Sequence, residues 1–495
     1  MTMMNQPTLT LQETQTGLDP WRHAELPVPP LPKGLGWLGA VGPGVIVLGL
    51  SIGSGEFLLG PTAFVKYGFT LLWVTSVAVF LQTVFNVELM RYTLATGEPA
   101  ITGFMRTKPG AGFWAWFYSI MYVLQSGWPA WAGAAAAAIF FLVARRLPAP
   151  VDGNTVYGIG VGTFLACVII LFIGRRIERT LELLNWILLA FILGGFFVLA
   201  LLFVRPGIWL AAIVGSVGFD PSAGHFKFLP AGGDFFLLSA LAAYSGCGGM
   251  ANIALSNWAR DKGYGMSQTA GYIPAIVGGR KVNLAHTGFI FTPTDESMKR
   301  WQGWWRIIWA DQWVVFFGGA LFGMMLPALL YVTFLPSGTD IRGLGIGAAL
   351  AQAMVTQVGA LTGGIVAMMG AWLLFKTQLD SIEAMTRTIT DVLWTSSKHL
   401  RAWRGGDVRI VYYAVLAAVV VWGVIALRLA QPIFLLQLSA NMAGLVFIIA
   451  SLHILYVNLT LLPKELRPSL WRRACLVGMA IFYGVFITLW LTSLL

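Results

Sequence analysis

The chain has 495 residues, 57% hydrophobic and 11% charged, with a mean hydropathy of +0.75. Soluble domains carry about 25% charged residues, so an ordinary globular enzyme and a string of soluble domains are both excluded. A formal charge of +11 would point to nucleic acid on a soluble protein, but here the placement of the charges decides otherwise.

Residues 1–37 read as a cytoplasmic N-terminal tail, polar and then proline-rich (Pro20, Pro27, Pro29, Pro30, Pro32). It has no basic start followed by a short apolar core, so no cleavable signal peptide is expected. Eleven apolar segments then reach the length needed to span a hydrocarbon core about 30 Å thick. They lie at 38–60, 70–91, 113–144, 156–174, 180–204, 234–256, 309–334, 361–385, 408–427, 432–457 and 473–494. With the N-terminus inside, 24 of the 32 Lys and Arg lie on the inner side and 7 on the outer, with Lys376 within a span. That bias predicts a multi-pass protein of the cell's inner membrane, N-terminus cytoplasmic and C-terminus outside. It accounts for the basic charge without a nucleic-acid partner; the partners expected are membrane lipid and a transported ion or small solute. Cys167, Cys247 and Cys475 all fall in spans. Neither a disulfide framework nor a Cys/His metal spacing is present, and no cofactor is expected.

Five spans precede the 205–233 loop, five follow it and one remains. An odd number per half forces the halves into opposite orientations, as an inverted repeat requires. The core is therefore expected over 38–457, with repeats at 38–204 and 234–457 and an additional helix at 473–494. The longest break, 257–308, falls on the cytoplasmic side and ends in WQGWWRIIW. Its Trp301, Trp304, Trp305 and Trp309 are expected at the membrane interface.

The first span of each half is interrupted by glycine. The first carries Gly53, Ser54, Gly55 and Glu56 at its middle; the sixth carries Gly246, Cys247, Gly248 and Gly249. Such matched interruptions are the best sequence pointer to a binding site at the bilayer midplane. Unwinding there would free backbone groups, which stay in a membrane only where they line a cavity or bind something. The competing explanation is tight helix packing through small residues. Glu56 is the most expensive residue of its span, because a buried carboxylate must be paired, wet or protonated. Lys376, Asp380, Glu383 and Arg387 of the eighth span share one helical face. They are expected to line an inner vestibule or proton path, or else to neutralise one another in i,i+4 pairs. Asn252, Gln125, Ser126, Gln437 and Asn441 are weaker polar candidates, and Asp234 and Asp311 suit helix caps.

These residues resemble the Nramp family of divalent-metal transporters, which have the LeuT-type fold. The likeness lies in GPGVIVLGLSIGSGEFLLGPTAFVKYGFTLLW, ATGEPAITGFMR, AWAGAAAAAIFF and GRRIERTLELLNWILL, and in the order of spans over 38–460. It implies an all-α membrane fold of eleven transmembrane helices, an inverted 5+5 repeat plus one. The site motifs depart from the family. Where the family has Asp-Pro-Gly-Asn, this chain has Gly53, Ser54, Gly55 and Glu56. Where it has Met-Pro-His, the equivalents are Gly249, Met250 and Ala251.

The resemblance implies secondary-active transport of a divalent cation. With the thioether gone, carboxylate, carbonyl and water would favour a hard ion such as magnesium or manganese. Glu56 would be metal ligand or proton acceptor, completed by the backbone near Gly53, Gly55, Gly248 and Gly249. The alternative is a carrier of a small organic or anionic solute, with Lys376 replacing a coupling cation between the first and eighth helices. An integral membrane enzyme is the third reading, but no HExxH, clustered histidines or soluble catalytic domain supports it.

Overall fold

The computed structural model describes residues 16–173, 177–274, 284–341, 345–403 and 406–494. The start of the tail lies outside the described residues, as do Arg280 and Lys281 of the 257–308 break. Among the described residues ten helices are long and apolar enough to cross a membrane: α1 (Pro43–Tyr67), α2 (Phe69–Thr96), α3 (Ala111–Ala144), α4 (Pro150–Ile170), α5 (Ile177–Phe203), α7 (Asp295–Phe334), α8 (Ala360–Ser396), α9 (Val408–Ala426), α10 (Pro432–Thr460) and α11 (Leu470–Thr492). The expected sixth span is not a single helix. It is split into α6a (Phe235–Tyr244) and α6b (Met250–Lys262), so ten continuous spans stand against the eleven expected. Asp234 caps α6a by accepting from the Leu237 N–H at 3.1 Å.

The split has a local cause. Gly246, Gly248 and Gly249 have φ of +101°, +99° and +50°, a region open to glycine and costly for residues with a Cβ. The first span behaves differently. Gly53–Glu56 do not unwind; they lie in a wide π-helical segment, Ile52–Leu59, inside an unbroken helix. The glycines of α1 serve close packing instead. Gly44 faces Asp311, Gly53 faces Thr377, and Gly55 lies against the Tyr244 carbonyl; a methyl group at any of them would overlap those atoms. From α7, Gly319 receives Leu48 and Gly323 receives Ile52. Small residues let transmembrane backbones approach closely, and every residue of the apolar window of α1 is buried.

The 257–308 break is largely structured where described. Helix α6b runs on to Lys262, and the lead of α7, Asp295–Trp309, is a helix opened by a Thr294–Ser297 capping box. Of the four tryptophans expected at the interface, Trp301 and Trp304 are buried and Trp309 is 52% exposed. The indole of Trp304 donates to the Pro27 carbonyl at 2.8 Å, so the proline-rich tail is packed on the helix rather than free.

That tail forms a strap. Arg22–His23 pairs in parallel with Phe289–Ile290, and Leu18, Trp21 and Leu26 are buried. Glu98, in the turn after α2, holds it. Its carboxylate accepts from Trp21 Nε1 at 3.0 Å, Tyr92 OH at 2.6 Å, the Arg106 guanidinium at 2.5 and 2.8 Å and the Gly288 N–H at 2.7 Å. Burial pushes the Glu98 carboxyl up, but Arg106 and the other donors outweigh it and hold it below its ordinary value of 4.5. A carboxylate held down in the folded state stabilises above its unfolded value and stops doing so as pH falls through the folded one.

Two outcomes follow from this packing. Hydrogen–deuterium exchange should show residues 16–32 protected at neutral pH, losing protection only below pH 4.5; Glu98→Gln should remove it at neutral pH. Gly53→Ala should lower stability in detergent by about 1–3 kcal/mol through overpacking against Thr377. An unchanged unfolding temperature would contradict the close approach of α1 and α8.

Candidate functional site

The site is built where the π segment of α1 meets the break in α6. In an α-helix, residues five apart point about 140° away from each other. The wider turn of a π segment brings them back towards one face, and such segments occur frequently at functional sites. Here Ser51 donates its hydroxyl to Glu56 Oε1. The Gly246 N–H reaches the same oxygen at 3.3 Å. Glu56 is fully buried, and its Oε2 has no hydrogen-bond partner. Among the described residues no ion pair reaches it.

The freed backbone of the break is held by two glutamines from neighbouring helices. Gln82 of α2 donates to the Ser245 carbonyl at 2.8 Å and accepts from the Cys247 N–H at 2.9 Å. Gln125 of α3 donates to the Gly248 carbonyl at 2.9 Å and accepts from the Met250 N–H at 2.8 Å. In lipid no water is at hand for these groups, so protein must supply the partners. A side-chain amide suits the task because it offers a donor and an acceptor together. Gly249 opens α6b, leaving no room for a Cβ beside Gln125 and Ala443.

The other expected site residues are distributed as follows. Ser54 spends its hydroxyl on its own helix, at the Leu50 and Ser51 carbonyls. Asn252 turns towards α2, donating to Asn86 Oδ1 at 2.8 Å. Lys376 does not join Glu56. It pairs with Asp380 at 2.7 Å, where α1, α5 and α8 meet. Asn185 of α5 donates to Asp380 at 3.2 Å, and Gly49 leaves the space that Lys376 Nζ fills. Glu383 pairs with Arg387 and accepts from Trp258 Nε1 at 2.7 Å. All four residues of the α8 stripe are buried, and they face neighbouring helices in this conformation. Asn441 donates to the Phe236 carbonyl at 3.1 Å and to the Gln437 carbonyl at 2.8 Å, and the Gln437 side-chain nitrogen has no hydrogen-bond partner among the described residues.

Several participants were missed in sequence. Asp261 pairs with Arg387 and with Arg260, which also holds Asp391 at 2.5 Å. This network ties α6b to α8, and it was hidden because 257–308 read as a loop. Asp311 caps α1 across the structure, accepting from the Gly42 and Gly44 N–H groups at 2.8 Å each. A cap was expected of Asp311, but for its own helix. Ser51 and Gln82 carried no signal beyond being polar within a span.

Ten apolar helices among the described residues, around one broken pair, define a multi-pass integral membrane fold. Solved structures agree. The manganese transporter of Eremococcus coleocola, in complex with an aromatic bis-isothiourea substituted compound, is similar at a TM-score of 0.64 and 15% identity, over 95% of this chain and 91% of that one. A single-residue variant of the same transporter gives 0.65 and 16%, over 96% and 91%. At such identities the likeness carries the fold, which is the one the sequence resemblance implies. These neighbours are transporters, not enzymes. No family model and no curated protein matches the chain.

The two-glutamine staple generates a prediction. Gln82→Leu strands buried groups at Ser245 and Cys247, each costing about 1–3 kcal/mol. The unfolding temperature in detergent should fall. Wild-type stability in that variant would show that the break does not depend on Gln82.

Proposed function

We propose that this protein is a secondary-active transporter of divalent metal cations, with hard ions such as magnesium or manganese favoured and proton coupling through the same site. The observation that carries this is Glu56, a buried carboxylate with one unpartnered oxygen and no counter-ion among the described residues, at the junction of α1 and the α6 break. A carboxylate in that setting either takes a proton or receives a cation, because an isolated buried charge costs several kcal/mol. The nearby lysine does not neutralise it, since Lys376 is committed to Asp380. Carbonyls of the break and retained water supply the oxygen donors that hard ions use. The manganese transport named for the structural neighbour supports the same reading.

In this proposal α6a and α6b together make an eleventh crossing. The repeats 38–204 and 234–457 are inverted, and the charge bias sets the N-terminus in the cytoplasm and the C-terminus outside. A second reading, a carrier of a small organic or anionic solute, is favoured by one observation. No group of three or more His, Cys, Asp or Glu that could hold a metal occurs among the described residues.

Uptake of magnesium, manganese and calcium into proteoliposomes tests both readings. Wild type should show saturable uptake that an inward proton gradient changes. Glu56→Gln should reduce uptake at least about tenfold, since a contact to a charged group is worth about 1.5–3 kcal/mol. The variant should also lose the response to the gradient. Absence of uptake for all three ions, with the protein correctly reconstituted, would overturn the metal reading and leave the organic or anionic solute.

A further inference from the structure

We propose that Arg472, at the first turn of α11, is the centre of a binding site for the phosphate of an anionic phospholipid. Its guanidinium lies over two indoles, one of which, Trp305, it shares with Arg91 at 4.4 Å. The Arg472 Cζ atom stands 4.8 Å from the Trp305 ring centre and 5.0 Å from that of Trp471. Stacking of this kind fixes the plane of the guanidinium and leaves its N–H edge for an acceptor. Yet Arg472 makes no hydrogen bond among the described residues. The one carboxylate beside it, Glu88, approaches only to 3.9 Å. Both oxygens of Glu88 are already used by Arg91, at 2.7 and 3.1 Å, and Asn458 adds a third bond at 3.1 Å. Two guanidiniums therefore share one carboxylate, which satisfies the first and leaves the second with its donors unmet. The Arg472 side chain is only 15% exposed, so its donors are held in one place.

The surroundings select the acceptor. Residues 464–473 hold Lys464, Arg467, Arg472 and Arg473 against a single acid, Glu465, and none of the other three cations has a carboxylate partner among the described residues. An anion is therefore favoured over a zwitterion. On the same turn Leu470 is 78% and Trp471 47% exposed, which places apolar area for an acyl chain directly beside the guanidinium. A phosphate with a chain attached matches both halves; a soluble anion matches only one. Basic pockets between transmembrane helices bind anionic headgroups in this way, and a guanidinium suits phosphate because it can donate two parallel hydrogen bonds.

Native mass spectrometry of the full-length protein, delipidated in detergent and titrated with phosphatidylglycerol or phosphatidylcholine, tests the site. Wild type should retain phosphatidylglycerol over phosphatidylcholine by about fivefold or more, as one well-placed cation near a headgroup supplies. Arg472→Gln should abolish that preference, and Arg472→Lys, which keeps the charge but not the fork, should keep part of it. If Arg472→Gln does not fold, Trp471→Ala must show the same loss. Equal retention of the two lipids by wild type, or an unchanged preference in Arg472→Gln, would overturn the proposal. So would displacement of phosphatidylglycerol by millimolar inorganic phosphate, which would make this a site for soluble anions.

Discussion

A transmembrane helix with no face left for lipid has to be thin, and the structure depends on α1 meeting that condition. Glycines at 44, 53 and 55 open it towards α7, α8 and α6a respectively, while Gly319 and Gly323 of α7 receive its larger side chains. Close backbone approach replaces the hydrophobic drive that lipid cannot provide between helices. The same thinness lets polar groups of four helices come together. Lys376 occupies the space above Gly49, Thr377 donates to the Gly49 carbonyl at 3.3 Å, and Glu56 meets the Gly246 N–H across the α6 break.

Among the described residues around α1 the buried charges are matched except at Glu56 and Glu178, each of which keeps one carboxylate oxygen without a partner. Lys376 with Asp380, Arg387 with Glu383 and Asp261, and Arg260 with Asp391 are closed pairs or networks. Asp311 is matched differently, by two N–H groups at the start of α1 and the positive end of that helix. A buried pair returns little net stability but costs several kcal/mol to break, so these contacts define which helices travel together. Glu56 stands outside the matching. It has a hydroxyl and one long backbone contact, and one oxygen without any partner.

The membrane class, the helix order and the special status of α6 were legible because each rests on local composition: long apolar runs, and three glycines within four residues. The role of the α1 glycines was not. Gly49, Gly53, Gly319 and Gly323 recur at intervals of four, the pattern of packed helices, whereas Gly246, Gly248 and Gly249 are clustered, the pattern of a broken one. Glycine count alone made the two spans look alike. The α8 stripe was visible from its spacing, but its partner Asp261 was not, because α6b continues as a polar helix beyond the apolar run. The strap was equally hidden: Arg22 pairs with Phe289, and no local pattern announces a contact between residues so far apart.

The way the α6 break is held bears on how such a protein can change shape. The backbone groups of Ser245, Cys247, Gly248 and Met250 are bound to Gln82 of α2 and Gln125 of α3. The α6b–α8 network and the Lys376–Asp380 pair lie on other elements. Among the described residues, the 3.3 Å hydrogen bond from the Gly246 N–H to Glu56 ties the break to the carboxylate of α1. A long contact to an otherwise unmatched carboxylate is the least costly link to exchange for another ligand. In the proposed transport cycle a cation or proton arriving at Glu56 would therefore disturb the α1–α6 junction first and leave the staples and the charge networks intact. The side chains that staple and pair the helices and the carboxylate that would bind cargo are thus separate residues, which lets Glu56 change occupancy without loosening the helices that carry it.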